Sequence, residues 1–204
     1  LQAQLNPHFL YNTLDCMKWL GVANHVPQIA DMSTDLAALL RAGISGSELI
    51  PLEDELELVR QYLNIQEIRF EDRFVCEIDV DERFQHCIVP KMVLQPLVEN
   101  AIIHGVADLE EGYIKLWAES DGDDLLLRVS DNGRGIAPEV LARLEQHQDI
   151  PGGHLGLTNV DHILRLYYGP DYGLTAASDG KTGSCVTLRL PMKKGDGYAE
   201  GSDR

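Results

Sequence analysis

The stretch from Tyr113 to Ile136, YIKLWAESDGDDLLLRVSDNGRGI, decides the fold. Tyr113 to Glu119 and Leu125 to Ser130 alternate as strands do, and Asp121-Gly122-Asp123 between them is a turn signal, so the pair reads as a hairpin. By strand parity Asp131 falls on the side of Leu125, Leu127 and Val129, the core side, where an unpaired carboxylate is costly. It needs a donor there. The exocyclic amine of an adenine is one such donor, and Gly133 and Gly135 let the backbone approach a flat ring closely. A plain Asp-Asn-Gly turn is the competing reading.

Outward from the hairpin, Phe74 to Val80 reads as a strand and Lys91 to His104 as an amphipathic helix. Gly156 to Tyr168 reads as a helix closed by Gly169 and Pro170, followed by strands at Gly173 to Ala177 and Cys185 to Leu190. Helices and hairpins mixed in this way predict an α+β sandwich over residues 73–192. Residues 1–72 read as helical throughout. Phe9, Leu10, Leu14, Met17 and Leu20 form one apolar set, and Ile29, Met32, Leu36, Leu39 and Leu40 form a second after a break at Asn24 to Pro27. Gly43 to Ser47 reads as a turn, and a third helix starts after Pro51 with acidic residues complementing its N-terminal dipole. So small a helical unit has little core of its own, which predicts pairing with a second copy. Residues 193–204 are polar and are expected to be disordered.

The composition bounds the function. The chain has 204 residues, 44% hydrophobic and 25% charged, which suits a packed core. A net charge of −16 argues against nucleic acid or an anionic membrane surface as the main partner, because both need a positive footprint. No apolar run approaches the roughly 18 to 20 residues that span a bilayer, so a soluble chain without direct membrane contact is expected. The first residue is Leu1, not Met, and reads as the start of a piece of a longer protein. The four cysteines, Cys16, Cys76, Cys87 and Cys185, have no zinc spacing and read as reduced thiols.

Further candidates for chemistry lie at both ends. In Asn6-Pro7-His8-Phe9-Leu10-Tyr11-Asn12, Pro7 starts or kinks a helix with Asn6 as its cap, and His8, Asn12 and Asp15 share a polar stripe. An exposed imidazole there is a usable nucleophile. In Leu94 to Gly105, Asn100 and His104 lie four apart on one face, and an amide oxygen suits Mg²⁺. Gly152, Gly153 and Gly156 open a helix whose free amides and dipole suit phosphate, which is how an acidic chain could hold a polyanion.

The order of these motifs resembles the sensor histidine kinases of two-component systems, in particular the YesM/LytS-type branch, whose phosphoacceptor motif is matched by residues 6 to 12. The resemblance spans about residues 5 to 191. It implies an N-terminal helical dimerisation and phosphotransfer hairpin followed by a Bergerat-type ATP-binding domain, shared with gyrase, Hsp90 and MutL. It further implies autophosphorylation of His8 from Mg-ATP in a homodimer, transfer to an aspartate of a response-regulator receiver domain, and a cytoplasmic position within an inner-membrane receptor. Carried over by motif, Asn100 is the Mg²⁺ ligand, His104 its phosphate-side neighbour, Asp131 the adenine reader framed by Gly133 and Gly135, and Gly152, Gly153 and Gly156 the second glycine box after a lid at residues 137–151. Asn159 and Thr187 fall where relatives contact nucleotide or its water.

Three departures qualify the match. Phe9 stands where many histidine kinases place an acidic base after the phosphoacceptor; Asn12, one turn on, can orient the ring but cannot take its proton. His154 stands where glycine is common. Pro96 replaces the glutamate with which hydrolytic relatives activate water, which disfavours a gyrase-type ATPase. The alternative to an autokinase is a catalytically silent, ATP-gated dimer module.

Overall fold

The computed structural model describes residues 7–148 and 155–194. The chain divides into two compact units, one of residues Leu1–Gly46 and Glu57–Asp72, the other of Ser47–Leu56 and Arg73–Arg204.

The first unit is helical. α1 is described over Pro7–Ala23. α2 (Pro27–Ile44) starts at Pro27, whose missing N–H costs nothing in a first turn. Between them the chain reverses tightly: the Val26 N–H donates to the Gly21 carbonyl at 2.9 Å, and His25 takes a φ of 56°. A Cβ on Gly21 would lie 2.9 Å from the Ala30 nitrogen, so glycine is what lets the two helices meet this closely. α3 (Leu52–Arg69) supplies the rest of this unit from Glu57 on, and Asn64 donates to Asp35 of α2 at 3.2 Å. Of the apolar set on α1 only Leu14 is buried, while Phe9, Met17 and Leu20 stay exposed, and so do Trp19 and Val22 beside them. The helical spacing is there, but the helices of this unit do not cover it.

The second unit is a helix-on-sheet sandwich. Five strands run in the order β2 (Phe74–Asp79), β4 (Gly112–Asp121), β5 (Asp124–Asp131), β7 (Ser184–Pro191), β6 (Gly173–Ser178), with β2 parallel to β4 and all other pairs antiparallel. One sheet face carries Ile114, Leu116, Leu125, Leu127, Val129, Val186, Leu188 and Leu190, all buried. Two helical segments join them in the core. One is α5 (Gln95–Asn100), continued by a π-helical turn over Ala101–Val106; the other is α7 (Leu155–Tyr168). Their contributions include Leu97, Val98, Ile102, Leu157, Val160 and Leu164.

Four features depart from the sequence expectation. Residues 47–56 group with the sandwich and not with the helices, because β1 (Leu49–Pro51) pairs with β3 (Ile88–Pro90) and the Leu52 N–H donates to the Cys87 carbonyl. Residues 91–94 are a turn, so the helix starts at Gln95. Residues 193 and 194 are paired, through the Lys193 carbonyl to the Ile88 N–H and a bridge between Cys87 and Lys194; residues 195–204 lie outside the described residues. Two short helices, α4 (Glu82–Gln85) and α6 (Pro138–Glu145), were not foreseen, the latter inside the stretch predicted as lid.

Glu55, fully buried in the first turn of α3, accepts the Met92 N–H at 2.7 Å and the Leu94 N–H at 2.8 Å. Burial pushes its carboxyl above the ordinary 4.5, and the backbone hydrogen bonds oppose that without cancelling it. The folded state then holds this proton to higher pH than the unfolded chain does, so the stability gained from protonation is full below 4.5 and is lost as pH rises through the folded value. The difference in denaturant midpoint between the unaltered and Glu55→Gln chains, measured from pH 4.5 towards neutrality, is expected to shift in the variant's favour as pH rises and then level off. Parallel curves would contradict this.

Candidate active site

The hairpin that fixed the fold also builds the cleft. β5 ends at Asp131, whose cross-strand register partner on β7 is Ser184. The Ser184 hydroxyl donates to Asp131 Oδ2 at 2.5 Å, and the Gly133 N–H donates to Oδ1 at 2.8 Å. The half-buried carboxylate thus takes two donors from the protein, and each oxygen keeps acceptor capacity. An adenine amine is therefore not required to satisfy Asp131, but it can be accommodated.

Gly105, in the π-helical turn, lies directly against this carboxylate: a Cβ there would meet the Asp131 Cγ at 2.8 Å. A Cβ on Gly133 would lie 2.3 Å from the Gly105 carbonyl carbon and oxygen, so two backbones touch at this point. π-helical turns inside helices recur at functional sites, and here the wide turn carries His104 and Gly105 to the cleft. Arg134 Nε closes the corner by donating to the His104 carbonyl at 2.7 Å.

In front of these groups lies a cleft of about 300 Å³ walled by Asn100, His104, Gly135, Ile136, Val140 and Ser184, among others. A second hollow of similar size adjoins it, walled by Pro96, Glu99, Asn100, Ile103, His104, Gly156 and Leu157. Asn100 and His104 belong to both walls, so the two hollows meet at the polar face of α5 and its continuation. The first offers an apolar slot (Ile136, Val140) beside an anchored carboxylate; the second lies by the first turn of α7, where backbone amides and the helix dipole favour an anion.

Ser178 organises the far rim. Its hydroxyl donates to the Gly183 carbonyl at 2.7 Å and accepts the Ile136 and Gly180 N–H groups at 3.0 and 3.1 Å.

The predicted residues sort as follows. Asn100, His104, Gly135 and Gly156 lie on the walls, and Asp131 with Gly133 lies directly behind them. Gly152 and Gly153, together with His154, lie outside the described residues. Asn159 is exposed on α7 and lines neither hollow. Thr187 is corrected: it sits out of phase with buried Val186 and Leu188, on the opposite face of the sheet, and Ser184, three residues earlier, holds the position beside Asp131. Ser184, Ser178, Glu99 and Val140 were missed. Ser184 alone left a trace, as the end of the turn-like stretch before the predicted strand Cys185 to Leu190.

His8 belongs to the helical unit, exposed in the first turn of α1, with Asn12 Nδ2 at 3.3 Å from its Nδ1 and 3.4 Å from its Nε2. Arg41 of α2 lies over the Tyr11 ring, its guanidinium carbon 5.7 Å from the centroid.

As for a metal, no group of three or more His, Cys, Asp or Glu side chains is gathered for a cation among the described residues. The oxygen donors on the walls of the second hollow are the Asn100 amide and the Glu99 carboxylate, with the His104 imidazole beside Asn100, on a scaffold open to water. That set fits Mg²⁺, which keeps several waters and takes phosphate oxygens, and does not fit zinc.

Comparison with known proteins agrees with this geometry. Residues 1–74 match the family model described as histidine kinase, and residues 88–194 match the one described as histidine kinase-, DNA gyrase B-, and HSP90-like ATPase. The chain belongs to the histidine kinase family. It is 35% identical over 195 residues to the sensor histidine kinase YesM of Bacillus subtilis, covering 95% of this chain and 33% of that protein. It is 33% identical to the sensor histidine kinase BtsS of Escherichia coli, again over 95% of this chain and 33% of the relative. With the sensor protein LytS of Bacillus subtilis it shares 32% identity over 98% of this chain and 35% of the relative. It thus spans about a third of the length of these curated relatives. In fold it is similar to the histidine kinase domain of a blue-light activated kinase of Erythrobacter litoralis, with a TM-score of 0.55 at 17% identity, covering 91% of this chain and 94% of that one. The catalytic domain of the histidine kinase ThkA gives a TM-score of 0.56 at 19% identity over 71% of this chain and 94% of that one.

Proposed function

We propose that this chain is the kinase core of a sensor histidine kinase, binding Mg-ATP in the paired hollows, phosphorylating His8 and passing the phosphoryl group to an aspartate of a receiver domain. The observation that carries the reading is the pair of hollows sharing Asn100 and His104, one backed by the anchored Asp131 carboxylate, the other facing the first turn of α7.

In this mechanism Asp131 accepts the adenine amine while Ser184 and Gly133 hold its carboxylate still. The Asn100 oxygen, with Glu99 beside it, holds the magnesium that screens the charge of the phosphates, and the α7 amides face the polyphosphate. Stabilisation by fixed dipoles and one cation is what an acidic chain needs in order to hold a polyanion. His8 attacks the γ-phosphorus through an unprotonated ring nitrogen. A P–N bond forms as the bond to the β,γ-bridging oxygen breaks, ADP leaves with that electron pair, and the ring's remaining N–H proton can pass to solvent. Asn12 orients the imidazole by donating to it. No carboxylate follows His8, and phosphoryl transfer tolerates this because positioning and charge neutralisation carry most of the catalysis.

The apolar residues left exposed on α1 are the surface through which two copies pair in this reading. No described helix is long and apolar enough to cross a membrane, and the position of this piece on the cytoplasmic side of a membrane receptor follows by analogy with the sensor proteins it resembles.

The test uses γ-labelled ATP with magnesium. The unaltered chain is expected to gain label that is acid-labile and alkali-stable, and His8→Gln to gain none. Label on the variant would exclude His8 as acceptor; free phosphate without labelled protein would identify an ATPase, and neither product would favour a silent nucleotide-gated module.

A further inference from the structure

We infer that Glu55 is a positioning residue for the nucleotide cleft, its carboxylate fixing the turn from which the Asn100 helix starts. The inference rests on the nucleotide reading of that cleft, but its geometry is independent of any ligand.

Glu55 is fully buried, and its two oxygens take the N–H groups of Met92 at 2.7 Å and Leu94 at 2.8 Å, one on each oxygen. The turn it grips is strained: Met92 has a φ of +61°, a conformation that side-chain-bearing residues avoid and that persists only where the surroundings impose it. The surroundings here are Glu55 and the Glu48 carbonyl, which accepts the Lys91 N–H at 2.8 Å.

From this turn the order passes directly to the site. The Leu94 carbonyl accepts the Leu97 and Val98 N–H groups, each at 3.1 Å, and so starts α5. α5 has only six residues and ends on Asn100, which lines both hollows. Rise and rotation per residue are fixed along a helix, so where α5 begins decides the height and direction at which Asn100 is presented. Val93, Leu94, Leu97 and Val98 are at most 1% exposed, and water cannot replace a lost acceptor there. A carboxylate offers an acceptor oxygen to each of the two N–H groups; an amide has one oxygen and brings donors of its own. Two residues beyond Glu55 the same helix passes into the helical unit at Glu57, so the grip sits where the connecting helix leaves the sandwich.

The experiment compares Glu55→Gln with Leu190→Ala, a truncation in the core near the end of β7 remote from Ser184. Binding of a non-hydrolysable ATP analogue with Mg²⁺ is measured by calorimetry, and amide hydrogen exchange is followed without nucleotide. Glu55→Gln is expected to weaken binding by a factor of at least five and to speed exchange at residues 92–100, whereas Leu190→Ala, though it melts earlier, keeps its affinity. A smaller loss in Glu55→Gln, or an equal loss in Leu190→Ala, overturns the inference. If the unaltered chain binds no analogue, the nucleotide reading fails and the exchange data alone decide: faster exchange at residues 97–100 in Glu55→Gln supports the positioning role, and unchanged exchange overturns it. Should Glu55→Gln not fold, NMR of the unaltered chain decides. The amides of Met92 and Leu94 and the Asn100 side-chain amide are expected to shift with the midpoint of the Glu55 carboxyl, on which the Lys91 charge also acts; an Asn100 signal silent at that midpoint overturns the inference.

Discussion

Asp131→Asn is expected to leave the fold intact and to weaken ATP binding on the order of a hundredfold. The carboxylate serves the Ser184 hydroxyl and the Gly133 N–H at once and, in the proposed complex, the adenine amine as well. An amide keeps one acceptor oxygen and turns an NH₂ towards groups that are themselves donors. Losing a hydrogen bond to a charged group and leaving a donor unpaired together cost about 2 to 3 kcal/mol, roughly 30- to 150-fold in affinity. Calorimetry with a non-hydrolysable ATP analogue measures the loss, and far-UV circular dichroism checks the fold. Ser184→Ala, which removes one donor to Asp131 and leaves the carboxylate, is expected to cost about tenfold or less. Binding that survives Asp131→Asn unchanged would place the purine somewhere other than the Asp131 hollow.

Gly133→Ala is expected to destabilise the sandwich strongly. The added Cβ would stand 2.3 Å from the backbone carbon and oxygen of Gly105, a contact that no rotamer change relieves. The φ of Gly133 is not in the left-handed region, so the need for glycine here is purely one of space. The loop and the π-helical turn must part, which costs about 3 kcal/mol or more, a melting shift of roughly 6 to 12 °C for a chain of this size. Gly122→Ala is the contrast: φ is +61° and nothing lies within 4 Å, so only conformational strain of about 1 to 2 kcal/mol is expected. Equal melting shifts in the two variants would refute the close approach.

Both predictions turn on residues whose importance was only half legible in the sequence. Strand parity put Asp131 on the core side and demanded a donor for it, because alternation is a local property of the chain. That the donor is Ser184 depends on the register of β5 against β7, 53 residues apart in sequence, and no local pattern carries it. Thr187 is a different case: motif order placed it near the nucleotide, whereas pleat parity within β7, a local pattern, turns it to the other face. Gly133 was marked for close approach, but the partner it approaches is the backbone of Gly105, brought there by a π-helical turn for which the sequence carries no signal. The three-residue strand β1 hid behind a turn-like composition and Pro51, and with it went the true boundary of the helical unit.

By itself the sequence determined the principal elements, the hairpin from Tyr113 to Ser130, the helical N-terminal unit and the motif order that marks a histidine kinase, because each depends on periodicity or on residues adjacent in the chain. Only the tertiary structure decided that Ser184 holds Asp131, that Asn100 and His104 wall two hollows at once, and that a buried carboxylate at position 55 anchors the start of the Asn100 helix. Those are encounters between segments tens of residues apart, fixed by sheet register and by the burial of apolar faces against one another, and they exist only once the chain has closed.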